Sequence, residues 1–433
     1  MPCCQTHRRT ASWRQFIALI YIGLMLASGQ LYGTIPAVTV AAQLPDSIGG
    51  VFTMREGITS VTIQAKIIHN IVLVPVRING SFALDFILDT GVSSTLLTEP
   101  AFASMLGLRY SGKVGLRGLG GGEPIKADVA QNVHISLPDI AAPRLNLVVL
   151  PPNVLSFSEM FGQPVYGIIG YDLFKSMVVE IDYISQKVHL YRPDVYRVRK
   201  KSVAVPLNIE KGKAHIAAQL ADIAGKRYAV NLLIDTGASQ AISLFGTDIP
   251  LPPRHIETYI GKGLNGDVLG RLGKIGGLTI EAFELPTMAA CYPDSAALSL
   301  RTGSVPWQGS IGGELLRRFK VVFDYPRQRL YLQKGRDYNK PYEYHLSGIE
   351  IQTLGVGNFD RFVVSHVQNG STAEQSGIKI GDELLSINGT ALKMLTIEEV
   401  FGLLNRKAGA TLRLKIRRDN DLFRFSWQLI DPL

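Results

Sequence analysis

The chain has 433 residues, 46% hydrophobic and 19% charged, with a net charge of +9. At roughly 100–200 residues per domain, that length gives two to four domains; the hydrophobic fraction excludes a disordered chain, and three cysteines exclude a disulfide scaffold. No apolar run of 18 residues points to a polytopic membrane protein.

At the N-terminus, Arg8, Arg9 and Arg14 precede an apolar stretch at 16–27, FIALIYIGLMLA. A basic region, a short apolar region and small residues behind it predict an export signal over 1–42, with cleavage after Gly29 or after Ala42. Apolar residues resume at 35–42, so an uncleaved membrane tether is the alternative. The expected location is periplasmic or secreted. Loss of 1–42 removes three arginines from the charge of +9, and Cys3 and Cys4 with them. Cys291 is then the one cysteine left, and it reads as a small buried hydrophobe.

Beyond this segment the chain resembles itself. FALDFILDTG (82–91) and YAVNLLIDTG (228–237) align at an offset of 146 (235 minus 89). Both alternate with period 2 and end in Asp-Thr-Gly, so each reads as a strand stopping at a glycine turn. GIIGYDLFKSMVVEIDYISQKVHLY (167–191) and GSIGGELLRRFKVVFDYPRQRLYL (309–332) form a second pair. The glycine runs Gly118-Leu119-Gly120-Gly121-Gly122 and Gly263-Leu264-Asn265-Gly266-Asp267 also correspond. Order and spacing predict one β-rich unit present twice, over 43–195 and 203–338. The linker holds Arg192, Arg197, Arg199, Lys200 and Lys201. Without interleaved aromatic residues it reads as solvated, not as a nucleic-acid site. Asp182 and Asp324, in matched strands, read as turn-shaping residues.

Two Asp-Thr-Gly turns in matched units point to a paired carboxylate. A pseudo-twofold axis brings Asp89 and Asp235 side by side, each held at its turn by Gly91 or Gly237. Like charges that close share one proton, and such a pair can act as base and acid in one cycle. A water activated between them would attack an amide carbonyl. That chemistry requires no metal, no cofactor and no covalent intermediate. The eight histidines show no metal-ligand spacing.

On these residues the chain resembles an aspartic peptidase of the retropepsin-like, pepsin-type kind, with both halves in one polypeptide. The motifs are Ile87-Leu88-Asp89-Thr90-Gly91-Val92-Ser93 and Leu233-Ile234-Asp235-Thr236-Gly237-Ala238-Ser239, with Ile168-Ile169-Gly170 and Ser310-Ile311-Gly312 later. The resemblance implies that Asp89 and Asp235 are catalytic and that Thr90 and Thr236 interlock beneath them. It implies that Ser93 and Ser239 hydrogen-bond the carboxylates. It also makes Gly118, Leu119 and Gly120, and Gly263, Leu264 and Asn265, flap tips over the substrate. Val92 departs from the small residue usual there and is expected to crowd the first aspartate.

From Tyr344 a different pattern runs to the end. FVVSHVQNGSTAEQSGIKIGDELLSINGTAL (362–392) resembles a PDZ domain. Thr396 and Glu399 predict a capping box before a helix ending near Ala408-Gly409, with strands at 411–417 and 423–429. A PDZ domain takes an extended peptide on a sheet edge. The resemblance implies a carboxylate loop at Leu346, Ser347, Gly348 and Ile349. The alternative is a domain that packs on the peptidase and binds no free peptide.

The expected architecture is therefore mostly β: two pseudo-symmetric aspartic-peptidase lobes followed by a PDZ-like α+β domain over 344–433. The expected function is an exported aspartic endopeptidase acting on peptide or protein substrates, with a peptide ligand for its PDZ domain. A catalytically silent peptide-binding scaffold stands as the alternative, and pairing of the lobes between chains as a third.

Overall fold

The computed structural model describes residues 24–25, 50–120, 122–245, 248–294, 307–342, 344–355 and 359–433. The expected export signal and its cleavage points, apart from 24–25, lie outside the described residues, as does Gly121 of the first glycine run. No described helix is long and apolar enough to cross a membrane.

Each Asp-Thr-Gly turn ends a strand, Leu84–Leu88 or Arg227–Ile234. Leu84, Phe86 and Leu88 are buried, as are Val230, Leu232 and Ile234. Each strand pairs antiparallel with the strand before it, Ile71–Ile78 or Lys213–Ala221. Each also pairs in parallel with the short strand of the later glycine element, Gly167–Ile169 or Gly309–Ile311. The parallel pairing extends into the turns, where the Asp89 and Asp235 N–H groups donate to the Ile169 and Ile311 carbonyls at 2.9 Å each.

The two ten-stranded sheets follow one order. A long hairpin comes first, Tyr110–Gly118 with Ile125–Leu137, or His255–Gly263 with Gly266–Ile275. Ile140–Val149 or Met288–Pro293 follows, then Thr95–Leu97 or Ile242–Leu244, then the glycine-element strand and the Asp-Thr-Gly strand. A third sheet draws on both halves, in the order Val203–Pro206, Arg329–Lys334, Phe319–Asp324, Val178–Asp182, Lys187–Tyr191, Ser60–Gln64. Its central register, Val179↔Phe323 and Ile181↔Val321, closes the two halves on each other within one chain. Beneath it Phe174 stacks on Tyr325 and meets Phe323 edge-on. One apolar core runs from Phe86 and Leu88 through Leu232 and Ile234 to Phe323. Each such fully buried side chain stabilises the fold by about 1.5–3 kcal/mol.

Polar residues of this region serve the frame. Asp182 accepts from the Ile184 and Ser185 N–H groups at 3.1 Å each, and Asp324 from that of Arg327 at 3.2 Å. Glu180 is fully buried and pairs with Arg199 at 2.8 Å. The basic linker is thus anchored at Arg199 and not simply solvated, because a buried carboxylate requires a counter-charge.

The C-terminal sheet runs Ile349–Leu354, Arg361–Val367, Glu383–Ile387, Thr411–Arg418, Asp421–Gln428. Thr396 and Glu399 form a capping box ahead of the helix Ile397–Leu404. This helix stops short of 408–409, because Asn405 turns extended and the Gly409 N–H donates to the Leu429 carbonyl of the last strand region at 2.7 Å. The connection into the domain is held by fully buried Arg318. It donates to the Glu314 carboxylate and to the carbonyls of Asp337, Lys340 and Pro341, with its guanidinium 4.2 Å from the Tyr342 ring centre. Ile349, Ile351, Ile397 and Phe401 share one apolar cluster with Phe157 and Phe161 of the first half.

Candidate active site

Thr90 and Thr236 join the two Asp-Thr-Gly turns. The Thr90 hydroxyl donates to the Ile234 carbonyl at 2.7 Å and accepts the Thr236 N–H at 3.0 Å. Reciprocally, the Thr236 hydroxyl donates to the Leu88 carbonyl at 2.8 Å and accepts the Thr90 N–H at 3.0 Å. Both threonines are fully buried, so the exchange satisfies groups that water cannot reach.

This joint brings Asp89 and Asp235 together, both with no exposed surface. The Gly91 N–H donates to Asp89 Oδ1 at 2.6 Å, and the Gly237 N–H to Asp235 Oδ1 at 3.0 Å. The Oδ2 atom of each is buried without a donor, and the two carboxyls interact directly. A Cβ on Gly237 would stand 2.4 Å from Asp89 Oδ2, so the close approach of the opposite carboxyl requires glycine there. Burial pushes both carboxyls above their ordinary range, and the charge of Asp89 adds to the rise at Asp235. The Gly91 and Gly237 N–H groups pull in the opposite direction.

Ser93 and Ser239 do not reach the carboxylates. The Ser93 hydroxyl donates to the Lys211 carbonyl at 2.8 Å. Ser239 uses its backbone carbonyl, which accepts from Asn70 Nδ2 and from the Glu314 N–H, both at 3.1 Å. Each serine thus ties its turn to the other half, because the glycine N–H already serves the nearby Oδ1 and these neighbouring groups supply the partners. Val92 is buried beside Gly170.

Residues 74–173, which include Asp89, match the family described as Aspartyl protease, and residues 339–417 match the PDZ domain family. The chain carries a retropepsin-like aspartyl protease domain and a PDZ domain. Glutamate receptor-interacting protein 1 of Rattus norvegicus is 34% identical over 93 residues, 21% of this chain, and the mouse protein matches equally. The match spans 8% of the length of those relatives. Among solved structures, Basic 7S globulin from soybean covers 66% of this chain and 98% of its own at 10% identity, with a TM-score of 0.38. The photosystem II D1 C-terminal processing protease covers 19% of this chain and 21% of its own at 26% identity, with a TM-score of 0.18. Superpositions this loose have no weight for fold or function.

The two glycine runs meet at their tips. The Asn265 N–H donates to the Leu119 carbonyl at 3.0 Å, and its own carbonyl accepts the Gly122 N–H at 2.8 Å. Its side chain accepts the Gly118 N–H and donates to the Glu123 carbonyl, both at 2.5 Å. Gly118 and Leu119 of one hairpin therefore meet Gly263 and Asn265 of the other, while Leu264 is buried in the apolar cluster with Val114 and Leu116.

In the PDZ domain, Ile349–Leu354 is an edge strand and Ile397–Leu404 the long helix. Residues of the protease domain lie against both. The Thr353 hydroxyl donates to the Glu159 carbonyl, and Gly162 lies against Ile397 and Thr353. The His69 ring meets Phe401 edge-on at 4.3 Å, and its backbone N–H donates to the Glu398 carboxylate. In the proposed carboxylate loop, Ser347 is buried and its carbonyl accepts from Trp427 Nε1 at 3.2 Å. Gly348 takes a positive φ of 74, and Ile349 begins the edge strand, with Leu346 half-buried ahead of it. Tyr259 of the second long hairpin meets His366 of the PDZ domain at 5.1 Å.

Sequence reasoning passed over Lys213, which is buried near the dyad with no hydrogen-bond partner for its ammonium among the described residues. Counting across the hairpin from Asp235 finds it. Cys291 is buried, and burial pushes its thiol up to about 12, the wrong direction for a nucleophile. Among the described residues no group of three or more His, Cys, Asp or Glu is placed to hold a metal ion.

Proposed function

We propose that the chain is an exported aspartic endopeptidase, built from two copies of one β unit, that hydrolyses peptide bonds between Asp89 and Asp235. One observation carries this reading: two fully buried carboxyls from different halves face each other, each with one oxygen on a glycine N–H, above a reciprocal threonine joint. Two carboxyls so placed share a proton over a wide pH range. A water between them loses a proton to the ionised member and attacks the scissile carbonyl carbon. The protonated member donates to the carbonyl oxygen. As the tetrahedral intermediate collapses, the dyad returns a proton to the leaving nitrogen and the C–N bond breaks. The linked hairpin tips at 118–120 and 263–265 act as flaps that part to admit the substrate. The basic and then apolar N-terminal segment supports export, cleaved or tethered.

Asp89→Asn and Asp235→Asn test the reading. Each is expected to abolish cleavage of a peptide library between pH 4 and 7 while circular dichroism stays that of wild type. Wild-type rates in either variant would sink the shared-dyad mechanism. Absence of cleavage by the wild type, alongside peptide binding, would leave a silent scaffold acting through the PDZ domain.

The contacts of Gly162 and His69 with the PDZ helix and edge strand favour a second reading for that domain alone, as a brace for the protease domain. Titration of the full chain with a peptide ending in a free carboxylate separates the two. Saturable binding supports recognition, and its absence supports the brace.

A further inference from the structure

The two Asp-Thr-Gly strands have like neighbours except at one position. In the first sheet Leu73 pairs with Ile87, so the register continues to Ile71 opposite Asp89. In the second sheet His215 pairs with Leu233, so Lys213 comes opposite Asp235. Ile71 is an ordinary buried core residue. Lys213 is 8% exposed, and its ammonium lacks a hydrogen-bond partner among the described residues. Its backbone is well held: it pairs with Glu210 across a tight turn, and the Lys211 carbonyl in that turn accepts the Ser93 hydroxyl. A lone buried ammonium is costly, and an apolar side chain would fill the same space, as Ile71 does opposite Asp89. The negative charge of the dyad is what offsets that cost.

We propose that Lys213 is a positioning residue of the dyad, whose fixed charge beside Asp235 sets the pH range over which the two carboxyls share one proton. Both carboxyls raise the proton affinity of Lys213, against burial that lowers it to about 8, and Lys213 in turn lowers both carboxyls against their own burial. The other groups facing this charge are few. Lys211 is exposed in the turn, and Glu210 lies across it. His215, two residues along the strand, is kept neutral by burial and by Lys213 itself, pushed down to about 4. Tyr325, which feels both aspartates and Tyr171, is held neutral by burial. The one buried positive charge facing the dyad among these groups is that of Lys213. This inference rests on the dyad chemistry proposed above.

The test compares kcat and KM against pH for wild type, Lys213→Met and Lys213→Arg on one peptide substrate. In Lys213→Met both limbs of the kcat profile are expected to move up by about one pH unit with KM little changed, and Lys213→Arg is expected to restore them. A uniform fall in kcat with the limbs in place, or a rise in KM alone, overturns the proposal. Lys213→Gln replaces the Met variant if that chain does not fold. If the wild type does not cleave, the proposed function fails, and thermal unfolding against pH still tests Lys213. The stability difference between wild type and Lys213→Met should then vary with pH, and that variation should vanish in an Asp89→Asn, Asp235→Asn background. A pH-independent difference overturns the inference.

Discussion

The hydroxyl of Thr353 donates to the carbonyl of Glu159 at 2.7 Å, tying the edge strand of the PDZ domain to a short helix of the protease domain. Gly162 ends that helix in the left-handed region at φ 62, and a Cβ there would stand 3.2 Å from Ile397 and 3.3 Å from Thr353. Gly162→Val therefore strains the backbone by about 1–2 kcal/mol and presses on both neighbours. The variant is expected to melt earlier. It is also expected to bind a peptide with a free terminal carboxylate more tightly in the full chain, because the edge strand is released. Fluorescence anisotropy with a labelled peptide reads this; unchanged affinity in a destabilised variant would show that the contact does not guard the strand.

Thr90→Val removes the partner of the Thr236 N–H and of the Ile234 carbonyl at a fully buried joint. The cost is about 1–3 kcal/mol for each group left unpaired. Thr236→Val should cost a similar amount, and the double variant less than the two singles together, since one network is lost in every case. Urea denaturation measures all three. Strict additivity would mean that the threonines act independently.

Burial holds Asp89 and Asp235 above the ordinary carboxylate range. Between that range, near ~4 for the unfolded chain, and the raised folded values, the folded chain binds more protons than the unfolded one. Stability from this pair is therefore highest in acid and falls as pH climbs through the interval. Asp89→Asn removes one member. Its stability relative to wild type is expected to grow from pH 4 toward neutral, by about 1.4 kcal/mol for each unit by which the folded pKa exceeds the unfolded one. Denaturation at several pH values checks this, and a flat difference would contradict it.

Asn265 makes two side-chain bonds to the opposite hairpin, from the Gly118 N–H and to the Glu123 carbonyl. Asn265→Ala leaves the backbone pair and deletes these, a loss of about 1 kcal/mol each. Faster amide exchange at Gly118 than in wild type is the expected outcome, with little change at the buried Thr90 joint. If Gly118 exchanges as slowly as before, the side chain is not the latch.

The features legible in the sequence are those set by local pattern. Alternation ending in Asp-Thr-Gly marks Leu84–Leu88 and Arg227–Ile234, and Thr396 with Glu399 announces the helix Ile397–Leu404. The partner of Ser93 was not legible, because the Lys211 carbonyl comes within reach only when the two halves are docked. Lys213 was hidden for a related reason. Its neighbour Asp235 lies 22 residues on (235 minus 213), and only the hairpin register brings them opposite. Arg199 looked like one of a solvated run because nothing near it in sequence reveals that Glu180 lies buried beneath.

The central sheet register of Val179 with Phe323 and Ile181 with Val321 fastens the two aspartate-bearing halves by backbone pairing inside one polypeptide. A site whose members arrive on separate molecules disassembles on dilution, so its output per molecule depends on concentration. Here the second half is supplied at a fixed, intramolecular effective concentration. Dilution cannot switch such a chain off, so control of it must act on access to the aspartates and not on their assembly.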